Sequence, residues 1–139
     1  MTSQVNNDPS SPFLGSTAAQ LFVGDISASC DFFTAKLGFS IDFLYGDPPF
    51  YGQVRRDNAL LALRLVHEPV FVADVRAREQ LLAASVTVAA AAEIKQLFVE
   101  FQSAGVAFFQ TLKQEPWGAR PFIVEDPDGN LLLFAGPTD

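Results

Sequence analysis

Residues 18–45, AAQLFVGDISASCDFFTAKLGFSIDFLY, place a strand, a helix and a second strand in direct succession. Asp25 or Ser27 can cap the start of the helix, because a short oxygen-bearing side chain accepts hydrogen bonds from free backbone N–H groups. Gly38 predicts the end of the helix, since glycine readily adopts the left-handed conformation that stops one. The predicted elements are a strand over 18–24, a helix over 25–39 and a strand over 39–45.

The second half of the chain repeats this order. In the first half, two further strands are predicted at 51–56 and 59–66, and Asp57 and Asn58 form the turn between them. The second half has a strand at 83–89, a helix at 91–104 and strands at 106–112, 119–125 and 130–135. The apolar stripe of the second helix is Ile94, Leu97, Phe98 and Phe101.

The order βαβββ, given twice, predicts an α+β fold of two modules. The expected organisation is a flexible N-terminal arm over 1–16, a first module over 17–66, a linker over 67–82 and a second module over 83–139.

The composition limits the classes of function. Of 139 residues, 49% are hydrophobic and 18% charged, which predicts a packed globular protein. The formal net charge of -7 argues against nucleic acids and anionic membranes as partners, because both bind basic surfaces. No apolar run approaches the roughly 20 residues of a membrane span. The first residues do not resemble a signal peptide, so we expect a cytoplasmic protein.

Three short motifs occur in a characteristic order. They are Val23-x-Asp25 with Leu37-Gly38-Phe39 around the first helix, Pro116-Trp117-Gly118 before the penultimate strand, and Asp126-Pro127-Asp128-Gly129-Asn130 before the last strand. Together with the repeated βαβββ order, they resemble the vicinal oxygen chelate superfamily of glyoxalases, extradiol dioxygenases and bleomycin-resistance proteins. The resemblance covers residues 18–136. It implies a curved, partly open, barrel-like mixed sheet with the helices outside, and a homodimer with clefts between the two chains.

Enzymes of this superfamily bind a divalent metal through four side chains, one from the first and one from the last strand of each module. The corresponding positions here are Ala18, Ala83, Leu133 and one residue within 59–66, a segment without His, Asp, Glu or Cys. None of these side chains offers the imidazole or carboxylate donor that such a metal needs. We therefore expect no metal and no other cofactor, and metal-dependent catalysis is not expected.

The pattern without metal ligands most resembles the bleomycin-resistance branch, whose members bind a drug without altering it. This implies a small-molecule binding protein that sequesters an aromatic or cationic ligand, such as an antibiotic or natural product, in a dimer cleft. Aromatic side chains on strands can stack on a planar ligand or attract a cation. The candidate ligand-binding residues are Phe43, Tyr45, Tyr51, Phe109, Trp117, Arg120 and Phe122.

Several alternatives stay open at the level of sequence. The strand aromatics either line a groove or fill the core, and Arg120 pairs with an anionic ligand or with Glu115 or Glu125. The chain is alternatively a glyoxalase-like lyase, isomerase or dioxygenase whose metal ligands are misaligned here. A third alternative is a partner-binding module without a small ligand. No catalytic residue is singled out, because Cys30 is expected to be buried and His67 has no second histidine beside it.

Overall fold

The computed structural model describes residues 10–68, 73–116 and 118–138. Residues 1–9 of the expected arm, 69–72 of the expected linker, and Trp117 lie outside the described residues. The elements are β1 (Ala19–Val23), α1 (Ile26–Asp31) continued by a π-helical turn (Phe32–Lys36), β2 (Ser40–Gly46), β3 (Pro49–Arg56), β4 (Ala59–Leu65), α2 (Ala73–Glu79), β5 (Leu82–Thr87), α3 (Ala91–Ser103), β6 (Phe108–Gln110), β7 (Ala119–Glu125) and β8 (Leu131–Pro137).

The strands form two four-stranded mixed sheets of the same topology. The first has the order β1-β4-β3-β2 and the second the order β5-β8-β7-β6. In each sheet the first strand of the module pairs parallel with the last, and the other neighbours are antiparallel. Neither sheet closes into a barrel, so β2 and β6 remain sheet edges. The arrangement confirms the predicted α+β fold class.

Local hydrogen bonding and backbone conformation set the start of α1 and the ends of the first helical segment and of α3. The Asp25 side chain accepts a hydrogen bond from the Ala28 N–H at 3.0 Å and so caps α1. Gly38 and Gly105 follow the two helical segments with φ of 73° and 77°, which confirms the helix end predicted at Gly38. The first helix is not regular throughout, because it widens into a π-helical turn where the Thr34 hydroxyl donates to the Cys30 carbonyl at 2.8 Å.

A single hydrophobic core joins the two modules on the helix side of the sheets. The first module contributes residues such as Leu21, Phe33 and Leu63, and the second contributes Phe101 and Phe122; all five are inaccessible to solvent. The predicted stripe on α3 faces this core, with Ile94 and Phe101 buried and Leu97 and Phe98 packed at its margin. The helices are therefore held by apolar burial on one face of each sheet.

The turn at 126–130 connects the second module to the first by hydrogen bonds. The Asp126 carboxylate accepts hydrogen bonds from the Asp128 N–H at 2.9 Å, the Asn130 N–H at 2.7 Å and the Asn130 side-chain amide at 2.9 Å. That amide also donates to the Phe22 carbonyl at 3.1 Å. Asp128 accepts from the Gly24 N–H at 2.8 Å. The turn thereby fixes the end of β1 relative to the start of β8.

Within the described residues, no helix is both long enough and apolar enough to cross a membrane.

Asp126 is expected to make stability depend on pH. Burial raises the pKa of Asp126 from 3.8 to about 6, against hydrogen bonds from Asn130 and Asp128 that lower it. The folded protein thus binds this proton more tightly than the unfolded chain. The stabilising contribution is complete below pH 4 and is lost as the pH rises through about 6, a change of about 3 kcal/mol at most. In Asp126→Asn this decrease disappears, because the amide stays neutral while its oxygen still accepts hydrogen bonds.

The measurement is urea unfolding at pH values from 4 to 7. Asp31→Asn serves as the control, because Asp31 is an exposed aspartate on α1. Its pH dependence should match that of the unsubstituted protein. A steep decrease in the free energy of unfolding that survives in Asp126→Asn would show that other groups cause it.

Candidate functional site

Alternate side chains of the first sheet point away from the helices. Leu21, Leu63 and Val54 point into the core, so their neighbours along each strand point to the opposite side. We call this side the helix-free face. The strand registers place on it Gln20, Phe22, Phe43, Tyr45, Tyr51, Gln53, Arg55, Leu60, Ala62 and Arg64.

Three of the seven candidate ligand-binding residues lie together on the helix-free face. Tyr45 of β2 is directly opposite Tyr51 of β3. The ring centroid of Phe43 lies 5.3 Å from that of Tyr45 and 6.2 Å from that of Tyr51. Tyr45 is 62% exposed and Phe43 36% exposed. We call these three residues the aromatic cluster. Phe43 and Tyr45 present exposed rings on which a planar ligand can stack, and Tyr51 is half-buried beside them.

Three polar side chains that interact with one another, Asp42, Gln53 and Arg55, border the aromatic cluster. A register shift between Ile41 and Phe43 interrupts the alternation in β2. The Asp42 carboxylate accepts a hydrogen bond from Gln53 Nε2 at 2.6 Å and lies 3.4 Å from Arg55 Nη2. Because Gln53 donates a hydrogen bond to this carboxylate and the Arg55 guanidinium compensates its charge, Asp42 adds little net negative charge to the face.

Arg64 also belongs to the helix-free face, and sequence reasoning did not single it out. It stands between Phe22 of β1 and Tyr51 of β3 in the register, and its side chain is exposed. Strand alternation is the signal that would have identified Arg64. It follows Ala62 by two residues, and side chains two residues apart lie on the same face of a strand.

Phe122 lies in the core and not on the helix-free side. Its ring is inaccessible to solvent and stacks on Phe134 with centroids 5.3 Å apart. It also contacts Phe98 and Phe101 at 5.4 Å and 5.8 Å. This residue cannot contact a ligand without unpacking the core, so we leave it out of the site.

The remaining candidates are dispersed. Arg120 is opposite Gly136, whose Cα faces Ile94 of α3, so Arg120 lies on the helix side of the second sheet. Its Nη2 donates to Gln114 at 3.4 Å. Phe109 is half-buried at a register shift in the short strand β6. Trp117 lies outside the described residues. The structure therefore does not bring Arg120 or Phe109 to the aromatic cluster.

The expected metal positions carry apolar side chains in the folded chain. Ala18 directly precedes β1, Ala83 lies at a register shift in β5, and Leu133 is paired with Ser85. Alanine and leucine have no lone pair for a metal. Across residues 10–68, 73–116 and 118–138, no group of three or more His, Cys, Asp or Glu side chains is arranged to hold a metal ion.

Cys30 is a buried side chain of the core. It is 5% exposed, and burial, with a smaller contribution from Asp31, raises the pKa of its thiol. A thiol held in its protonated form is a poor nucleophile. Cys30 therefore stabilises α1 against the sheet and does not form part of a reactive site.

A cavity of about 820 Å³ lies between the two modules, apart from the aromatic cluster. Its polar lining includes Thr87 and Gln96, and the rings that border it, Phe39, Phe101 and Phe134, are core residues no more than 4% exposed. Its volume suits a small ligand. It offers no exposed ring for stacking, and no candidate ligand-binding residue within the described part of the chain lines it.

Paired βαβββ modules, each with a parallel outer pair of strands, define a recognised class of fold. The family model described as the Glyoxalase/Bleomycin resistance protein/Dioxygenase superfamily matches residues 14–134. The chain belongs to this superfamily. No curated protein matches the chain significantly.

Solved structures with the same fold include two bleomycin-related proteins. A bleomycin-binding protein from bleomycin-producing Streptomyces verticillus, complexed with copper(II)-bleomycin, is 25% identical with a TM-score of 0.64, covering 89% of this chain and 96% of that one. A bleomycin resistance determinant encoded on the transposon Tn5 is 17% identical with a TM-score of 0.67, covering 89% and 98%. A glyoxalase/bleomycin resistance protein/dioxygenase from Alicyclobacillus acidocaldarius is 17% identical with a TM-score of 0.71, covering 96% of each chain.

Phe122 and Tyr45 are expected to differ sharply in their contribution to stability. Phe122→Ala removes a fully buried ring and should lower the free energy of unfolding by about 3–5 kcal/mol. Tyr45→Ala removes an exposed ring and should change it by about 0.5 kcal/mol or less. Urea unfolding followed by far-ultraviolet circular dichroism measures both. Similar losses in the two variants would contradict the division between core and helix-free face.

Proposed function

We propose that this chain is a cytoplasmic, metal-free binding protein that sequesters a planar aromatic antibiotic or natural product in a cleft of a homodimer. The observation that carries the proposal is the aromatic cluster. The ring of Phe43 lies within stacking distance of the rings of Tyr45 and Tyr51. Phe43 and Tyr45 are exposed to solvent and Tyr51 is half-buried, on the face of the first sheet opposite the core. Exposed rings grouped in this way are costly in water and favour a bound partner.

Sequestration fits the chemistry of the face. Binding a drug requires affinity alone, and stacked rings and hydrogen bonds supply it. The four positions that hold a metal in the enzymes of the superfamily lack donor atoms here, which supports binding without metal chemistry. The likeness to a bleomycin-binding protein whose structure contains copper(II)-bleomycin supports a small-molecule ligand.

A second copy of the chain is the proposed partner at β2. Every residue of this edge strand is exposed, including Ile41 at 47% and Leu44 at 42% on the side opposite the aromatic cluster. An exposed edge strand with apolar side chains pairs readily with another chain. A second copy placed against β2 covers Ile41 and Leu44 and adds a wall beside the aromatic cluster, which turns an open face into a cleft.

Ligand binding is tested by titration with bleomycin and a panel of planar natural products. The intrinsic fluorescence of the protein, which has a single tryptophan, provides one readout, and calorimetry a second. We expect saturable binding at micromolar or lower concentration, about -8 kcal/mol. Tyr45→Ala should weaken it about tenfold, because a stacking ring is lost. Added EDTA should leave the affinity for metal-free ligands unchanged.

The control variant is Val99→Ala, which alters an exposed side chain of α3 far along the chain from the cluster. Its affinity should equal that of the unsubstituted protein. Binding that requires an added divalent metal would overturn the metal-free proposal and support the enzyme alternative. If the folded, dimeric protein binds no ligand of the panel, the proposal that it sequesters a drug is wrong.

The dimer is tested by a charge at its proposed centre. Ile41→Glu should convert the dimer into a folded monomer of 15.1 kDa, because a carboxylate cannot be buried at the contact without a partner. Sedimentation velocity measures the mass and circular dichroism verifies the fold. Val99→Glu, at an exposed apolar position on α3, should remain dimeric. Monomeric unsubstituted protein, or a dimer that survives Ile41→Glu, would refute the contact at β2.

A further inference from the structure

Arg64 is an exposed cation in the middle of an otherwise apolar and aromatic row. The registers place Phe22 on one side of it and Tyr51, followed by Tyr45, on the other. Within the described part of the chain, Arg64 forms no hydrogen bond and no ion pair. Its guanidinium is therefore available to a ligand that occupies the aromatic cluster.

The charge on the helix-free face differs in sign from that of the whole chain. Its strand residues include two arginines, and Arg55 is already paired at 3.4 Å with Asp42, which borders the aromatic cluster. Arg64 remains as the uncompensated positive charge on this face, although the chain carries a formal charge of -7. A cation kept unpaired beside exposed rings favours an anion there.

The chemistry of arginine narrows the ligand further. A guanidinium is a planar fork of N–H donors that binds an oxyanion through two parallel hydrogen bonds, and it also stacks against aromatic rings. From this juxtaposition we infer that Arg64 is a ligand-binding residue, and that the ligand class is a planar aromatic body bearing an oxyanion, such as a carboxylate. This inference rests on the proposed function and replaces the expectation of a cationic ligand for this face.

Three probes with one aromatic body separate charge from stacking. They are 1-pyrenecarboxylate, 1-pyrenemethanol and 1-pyrenemethylammonium, titrated at physiological ionic strength with pyrene fluorescence as the readout. The carboxylate should bind about tenfold or more tightly than the alcohol, because a charge-assisted hydrogen bond is gained. The ammonium probe should bind most weakly. Arg64→Gln should abolish the advantage of the carboxylate and leave the affinity for the alcohol within about twofold, since stacking is retained.

Two further variants control the test. Arg64→Lys keeps the charge but loses the planar fork, so it should retain only part of the advantage. Lys113→Gln removes the positive charge of an exposed lysine that pairs with Glu115 outside the first sheet, and it should leave the order of affinities unchanged. If Lys113→Gln has the same effect as Arg64→Gln, the preference for the carboxylate depends only on the net charge of the protein. That outcome would overturn the inference.

The outcomes separate this inference from the proposed function. If all three probes bind and Tyr45→Ala weakens them, but the carboxylate has no advantage over the alcohol, the role of Arg64 is overturned and ligand binding at the cluster stands. If no probe binds, the proposed function fails and the inference with it. Binding that is insensitive to both Tyr45→Ala and Arg64→Gln would place the probe elsewhere, for example in the cavity between the modules, and overturns both.

Discussion

The burial of one face of each sheet under helices is the constraint on which the rest of this structure depends. Phe101 of α3 packs edge to face on Phe122 and Phe134, and Phe33 of the first helical segment packs on Phe39, so the helix side of the sheets is filled by rings from its own chain. Because side chains alternate along a strand, filling one face leaves the other face to be occupied by different residues. The position of the aromatic cluster is a direct consequence.

Residues with short-range signals were predictable from the sequence. Asp25, Gly38 and Gly105 mark helix ends through backbone chemistry that acts within a few residues, and the apolar stripe of α3 repeats at helical spacing. The two βαβββ units follow from these signals. The sequence did not predict the register shift in β6 or the π-helical turn after Asp31. Both depend on how a segment packs against its neighbours in the fold.

The candidate site was predictable only in part, since alternation shows that two faces exist but not which one meets the helices. In β2, Phe43 and Tyr45 share a face with each other, and the structure is needed to show that this face is open. In β7 the alternation fails altogether: Pro121, Phe122, Ile123 and Val124 are buried in succession, so the sequence could not assign Phe122 to the core. The sequence could not predict the role of Asn130 either, because its side-chain amide donates a hydrogen bond to the Phe22 carbonyl of the other module.

The separation between the filled face and the open face has a consequence for how such a protein changes over generations. Substitutions at Tyr45, Gln53 or Arg64 alter the surface of the helix-free face without removing any member of the buried cluster, so they cost little folding free energy. The helix-free face is then able to diverge while the backbone is retained. Solved structures at 17–25% identity share the fold of this chain with TM-scores of 0.64 to 0.71, which agrees with such independence. A chain of this kind can change the chemistry of its open surface at little cost to its own persistence.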